Sequence, residues 1–175
     1  ALRMFFAPVR GAIEIGESWG AEGLLDPDRP DQLRTLLQPV LARFPQMSAA
    51  LIADDRGREF MLLRADGKWR TRQTRRDEWG SRVKWTEWTD GEPKEEWRET
   101  DYDPRERPWF KGAMERVGKT PRITWTEPYR FFTTGQPGIT AAAAFRCGDR
   151  DRVLERHHRL GHGAVAAGGA QIPEG

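Results

Sequence analysis

A single cysteine, Cys147, excludes an intramolecular disulfide and leaves the redox compartment open. No run of about 18 or more apolar residues occurs, so no transmembrane helix is expected within the 175 residues. No charged-then-apolar leader opens the chain. A chain that starts on Ala1 reads as a piece of a longer protein. Charge of one sign is also missing: 29 basic residues stand against 27 acidic ones, a net of +2. A dedicated nucleic-acid surface would carry a strong basic excess. Histidine is scarce, and His157, His158 and His162 all lie near the end, so the body of the chain lacks the commonest general base. No phosphate loop is present. His158 and His162 have a spacing that can hold zinc on a helix, but Gly161 and Gly163 weaken that helix and no Glu lies between the two. No catalytic residue, metal, cofactor or nucleic-acid partner is expected.

What is present is a charged chain with large rings. Hydrophobic residues make up 37% and charged residues 32%, and eight Trp and eight Phe supply much of the area that a core needs. Residues 1–25 carry Phe5, Val9, Ile13 and Trp19 at roughly helical spacing, with an end expected near Gly20 or Gly23. A turn cluster at 26–30 precedes a second helix, with Asp31 as N-cap and Leu33, Leu36, Leu37, Val40 and Leu41 on one face. From Ser48 the period changes to two. Strands at 48–53, 59–64 and 68–74, joined by Asp-Gly-type turns, predict an antiparallel meander. Trp79, Trp85, Trp88 and Trp97 alternate with Lys, Arg and Glu over 75–100, the pattern of a half-buried sheet with rings in and charges out. Interleaved acids there would repel phosphates. A short helix at 111–117, a strand at 122–126 and a partner strand at 139–145 complete the body. The expected class is α+β, a long N-terminal helix with a PAS-like antiparallel sheet and flanking helices. Residues 147–175, rich in Gly, Ala, Arg and His, hold neither period, and no strand is expected there.

Residues 101–110 read Asp-Tyr-Asp-Pro-Arg-Glu-Arg-Pro-Trp-Phe. Pro104 and Pro108 fix φ and push Asp103 and Arg107 toward extended backbone. A stiff irregular loop is expected, ending in a helix near Lys111. Arg offers a planar fork of donors suited to a carboxylate, and Trp and Tyr offer apolar faces with one polar handle each. Two readings stand side by side: a wall for a small anionic or zwitterionic ligand, or a surface turn with two solvated arginines and a core tryptophan.

Tyr102 to Phe110, followed by Trp125-Thr-Glu-Pro-Tyr129 and Gly138-Ile-Thr-Ala141, resembles the double Cache sensor domains, the extracytoplasmic ligand-binding modules of bacterial transmembrane receptors. The resemblance is clearest over 97–145. It implies ligand sensing rather than chemistry, a periplasmic location, membrane contact only through flanking helices, and a possible homodimer. It divides the chain into a sensor domain at 1–146, comprising a helix at 1–25 and a membrane-distal PAS-like lobe at 26–145, and a tail at 147–175. Tyr102, Arg107 and Trp109 match residues that hold an amino-acid ligand in such domains. Phe110 stands where a second Tyr is usual, and Tyr129 matches a downstream Tyr. The family's Asp for the ligand ammonium, and the strand that carries it, have no counterpart, so the tail is expected to be disordered or foreign, as a reading-frame shift would leave it. The implied ligand bears a carboxylate, as an organic or amino acid does. The alternatives are a structural or dimerising module with a vestigial pocket, and a carboxylate-dependent hydrolase.

Overall fold

A computed structural model describes residues 2–88 and 92–159, with side chains from 7 to 156. Helix α1 runs Leu2–Ala21 and helix α2 Pro30–Arg43. Pro30 opens α2, and Asp31 sits in its first turn rather than at the N-cap, which is Arg29. Proline at the first helical position lacks only an N–H that would be orphaned anyway. Strands β1 Met47–Asp54, β2 Arg58–Ala65 and β3 Lys68–Arg75 form the expected meander. A short helix α3, Arg76–Trp79, leads to β4 Arg82–Trp88 and β5 Lys94–Glu99. A 3₁₀ turn at Pro104–Glu106 and helix α4, Pro108–Met114, follow. Then come β6 Thr124–Trp125, β7 Tyr129–Arg130, β8 Pro137–Cys147 and β9 Arg150–Arg159.

The strands join in one sheet in the order β5-β4-β3-β2-β1-β9-β8-β6, with β7 beside β8. All the described pairings are antiparallel. The α+β class and the antiparallel sheet are as the sequence implies.

Register separates the residues into two layers. Ala50, Ile52, Phe60 and Leu62 lie against Val9 and Ile13 of α1 and Leu33, Leu37 and Leu41 of α2. Ala49, Leu51, Ala53, Met61 and Leu63 lie against Trp109, Phe110 and Ala113 of α4. Every residue of β1 is buried, which is why its sequence is nearly all small or apolar. At the far edge the expected half-buried pattern fails. All six residues of β5 are exposed, and Trp97 stacks edge-on to Trp79 at 4.8 Å instead of entering the core. The charges along this edge discourage pairing with another chain.

The expectation for the tail needs correcting. Residues 150–159 form β9, which lies inside the sheet between β1 and β8. His157 and His158 are therefore on a strand, not a helix; their side chains, and His162, lie outside the described residues. Helix α1 rests directly on this strand pair. A Cβ built on Gly16 would lie 1.9 Å from Leu154 Cδ2, and one on Gly20 would lie 2.4 Å from Phe145 Cδ2. Both positions require glycine for contact at that distance.

Strand β9 is buried on both faces yet reads Arg152-Val-Leu-Glu-Arg156. Arg152 reaches the Leu25 carbonyl at 2.6 Å and Asp26 at 3.5 Å. Arg156 stands in register with Ala50 and Ala141, wholly buried, and its three guanidinium nitrogens have no hydrogen-bond partner among the described residues. Burial lowers its pKa to about 10. An uncompensated buried charge is among the costliest features a core can hold.

Replacing Arg156 by Met should therefore raise the unfolding free energy in urea by about 3 kcal/mol at neutral pH. The folded-state pKa lies below the ordinary guanidinium range, so above about pH 10 the unfolded chain binds more protons and stability rises with pH. The gap between the variant and the parent should narrow over that interval.

Candidate functional site

The loop at 101–107 gains its shape from its own sequence. Asp103 accepts from the Arg105 backbone N–H at 3.0 Å and from the Arg105 side chain at 3.0 and 2.7 Å. This Asp turn holds the 3₁₀ segment and commits one of the two loop arginines. Arg107, at φ −79 and ψ 144, takes the extended backbone that a following proline favours. Its carbonyl accepts from the N–H groups of Phe110 and Lys111, both at 3.1 Å, and so opens α4. The helix begins at Pro108, earlier than the position near Lys111 expected from sequence, because proline at the first helical position stops the irregular loop rather than prolonging it.

That shift decides where the rings go. Trp109 and Phe110 are on the first turn of α4, 1% and 6% exposed, packed edge-to-face at 5.7 Å over Leu51, Met61 and Leu63. The expectation that they wall an open hollow is corrected: they back the site from within the core. Arg107 is half-buried, and its guanidinium carbon lies 5.6 Å from the Phe132 ring and 6.0 Å from the Tyr102 ring. Tyr102 and Phe132 touch at 4.9 Å between centroids. Tyr129 feels the Arg107 charge and packs edge-to-face on Phe131 at 5.4 Å. Tyr102, Arg107 and Tyr129 are thus brought together, with Phe132 as an added member.

Both tyrosine hydroxyls are committed inward. The Tyr102 O–H donates to Glu59, whose other carboxylate oxygen accepts from Arg72 at 2.7 and 3.0 Å. Arg72 also lies 3.9 Å from the Tyr102 ring centroid and donates to Thr133 Oγ1 at 2.9 Å. Burial, then the Glu59 charge, holds the Tyr102 phenol well above its ordinary range. Burial alone would lower the Arg72 pKa, but the Glu59 carboxylate outweighs it, so Arg72 is firmly charged. Tyr129 Oη lies 2.8 Å from Thr140 Oγ1, and Thr140 donates to Glu155 at 3.4 Å. Thr140 has one proton to give, so Tyr129 is the donor between the two. Burial, then the Glu155 charge, raises the Tyr129 pKa.

Glu59, Arg72, Phe132 and Thr133 escaped the sequence reading. A signal for the first existed: Glu59, Met61 and Leu63 alternate on one face of a strand whose other members are core residues. Beyond Thr133 lies a cleft of about 460 Å³, lined by Arg70, Trp85, Glu87, Glu96, Arg98 and Gln136 among others. Its charges are largely paired with one another, as Arg70 with Glu87 at 2.6 Å and Arg98 with Glu96 at 2.7 Å. Neither Arg107 nor Tyr129 lines it. No cluster of potential metal ligands occurs among the described residues.

No family model matches the chain. A methyl-accepting chemotaxis protein of Bacillus subtilis, McpC, is 44% identical over 63 residues, which is 35% of this chain and 8% of McpC. Among solved structures, the ligand-binding domain of the amino acid chemoreceptor PctC of Pseudomonas aeruginosa, in complex with GABA, superposes with a TM-score of 0.55 and 22% identity over 94% of this chain and 57% of that one. The ligand-binding domain of Mlp24 with asparagine gives a TM-score of 0.53 and 20% identity over 95% and 53%. The extracellular domain of a histidine kinase gives 0.50 and 16% over 89% and 56%. The chain thus has the fold of receptor sensor domains, as the resemblance to double Cache domains implies, and it spans about half the length of those structures. No described helix is long and apolar enough to cross a membrane.

Removing the Glu59 carboxylate strands the Arg72 guanidinium in the interior. Glu59→Ala should lower the unfolding free energy by about 3–5 kcal/mol, against about 1–3 kcal/mol for Tyr102→Phe, which removes one donor. Equal losses in urea titrations would place the weight of the network on the tyrosine instead.

Proposed function

We propose that this chain is the ligand-sensing part of a bacterial transmembrane receptor, and that a small carboxylate-bearing molecule or an amino acid binds it at Arg107. The observation that carries the reading is the state of the arginines around the loop. Arg72 is paired with Glu59 and Arg105 with Asp103, whereas the half-buried Arg107 guanidinium has no carboxylate or carbonyl partner among the described residues. The rings of Tyr102 and Phe132 flank it. A fork of donors left open beside apolar faces fits a ligand carboxylate. Tyr129 and Phe132 then serve as walls, and the buried Tyr102, Trp109 and Phe110 as their packed support. GABA and asparagine, named with the PctC and Mlp24 domains, both carry a carboxylate. The same reading puts the chain in the periplasm, joined to the membrane by helices outside it, with pairing through a second copy as its means of signalling. It makes the chain a receptor that releases its ligand unchanged.

One observation favours the second reading, a structural or dimerising module. Both tyrosine hydroxyls are occupied internally and both candidate indole and phenyl walls are buried, as in a pocket that has closed.

The two readings separate in a thermal-shift screen of organic acids and amino acids. A ligand for the folded state raises the melting temperature, and a vestigial pocket leaves it fixed. For any ligand found, Arg107→Ala should weaken binding roughly tenfold or more, the value of a lost charge-assisted hydrogen bond. Unchanged affinity in calorimetry would remove Arg107 from the site.

A further inference from the structure

Resting on the receptor reading, we infer that the ligand is a carboxylate with a flat apolar body and no ammonium group, an aryl-alkanoate rather than an amino acid. Four features of the site lead to this class. The first is that Arg107 supplies the open charge-bearing donors, and they suit one anionic group. The second is that the groups nearest it offer ring faces. Phe132 at 5.6 Å and Tyr102 at 6.0 Å flank the guanidinium, and Tyr129 stands on the ring of Phe131. The third is the direction of the hydroxyl protons. The Tyr102 hydroxyl donates to Glu59 and that of Tyr129 to Thr140, so neither hydroxyl is turned toward Arg107, and the half-buried Tyr129 can offer only its ring to a ligand. The fourth concerns acceptors for an ammonium. Glu59 is wholly buried and already takes Arg72 and Tyr102. Glu155 is wholly buried and is reached from Tyr129 through the Thr140 hydroxyl. An ammonium brought beside Arg107 would meet a like charge and would lose its water without gaining a carboxylate, a loss of the kind that discriminates strongly between close analogues.

Phe132 is the specificity-determining residue in this account. Its ring is 49% exposed although it packs on Tyr102 and lies over Arg107. A side chain held on one face and free on the other can turn outward to admit a ring and close upon it. The loop behind it is fixed. Arg72 holds Thr133, the Phe131 N–H donates to the Gln136 carbonyl at 3.0 Å, and the Gly135 N–H donates to the Phe131 carbonyl at 2.8 Å. Aromatic stacking then selects for a planar body.

The test compares 3-phenylpropanoate with L-phenylalanine, which differ only in the ammonium group, and with propanoate, which lacks the ring. Calorimetry on the whole chain should show 3-phenylpropanoate binding at least about tenfold more tightly than either. Phe132→Ala should reduce the preference for 3-phenylpropanoate over propanoate by roughly tenfold. L-phenylalanine or another amino acid binding as tightly as its deaminated analogue overturns the inference but leaves the receptor reading standing. Absence of binding by every carboxylate and amino acid overturns both. A Phe132→Ala variant that keeps the full preference removes that residue from the account.

Discussion

The Glu59 carboxylate is the fixed point of the layer that holds Tyr102 and α4. It belongs to β2, and it accepts from Arg72 on β3 and from Tyr102 on the loop after β5. Through Arg72 it also reaches Thr133, on the segment between β7 and β8. Four separate stretches of chain therefore converge on one acid. Inside a low-dielectric core a charge is held most cheaply when it is paired and hydrogen-bonded, and here both Glu59 oxygens and all three Arg72 guanidinium nitrogens make hydrogen bonds. The consequence for function is indirect but firm. Because Glu59 takes the Tyr102 proton, and Thr140 takes that of Tyr129, the polar groups that could bind a ligand are drawn into the fold. Arg107 is left facing outward among rings.

Arg107 owes its position to proline chemistry. Pro108 forces extended backbone on the residue before it and starts a helix at itself. The side chains on either side of that boundary diverge: Arg107 stays with the loop, whereas Trp109 and Phe110 enter the helix and turn to the sheet. Asp103 closes the other end of the loop by capturing Arg105. Of two arginines two positions apart, one is structural and one is open. Their residue types alone do not distinguish them; the acid two residues before Arg105 does.

Much of the fold was legible because short β-rich runs are separated by turns with Gly57 and Gly67, and because α2 carries leucines on one face. The nearness of Tyr102 to Arg107 was legible through their spacing on a proline-braced loop. Two kinds of feature were not. Trp109 and Phe110 were read as pocket walls because a loop was carried too far past Pro108. Glu59 and Arg72 were passed over because strand charges are usually solvated, and only the pairing Met61↔Arg72 shows them sharing one covered face. Strand β9 was missed for a sharper reason. Arg152, Glu155 and Arg156 occupy positions where an interior strand calls for apolar side chains, so neither hydrophobic period survives.

Strand β9 also shows how the two layers are linked. Adjacent residues on a strand point to opposite faces. Glu155 lies toward Thr140 and the site, and Arg156 lies toward the helices α1 and α2, held between Ala50 and Ala141. Arg156 is where the helix layer is least favourable, since its guanidinium makes no hydrogen bond among the described residues and the Glu155 charge offsets only part of its burial. A change in the height or tilt of α1 over Leu154 and Phe145, where Gly16 and Gly20 make the contact tightest, would be felt at Arg156 and, one residue away, at Glu155. The same strand thus joins the packing of α1 to the hydroxyl chain that ends at Tyr129.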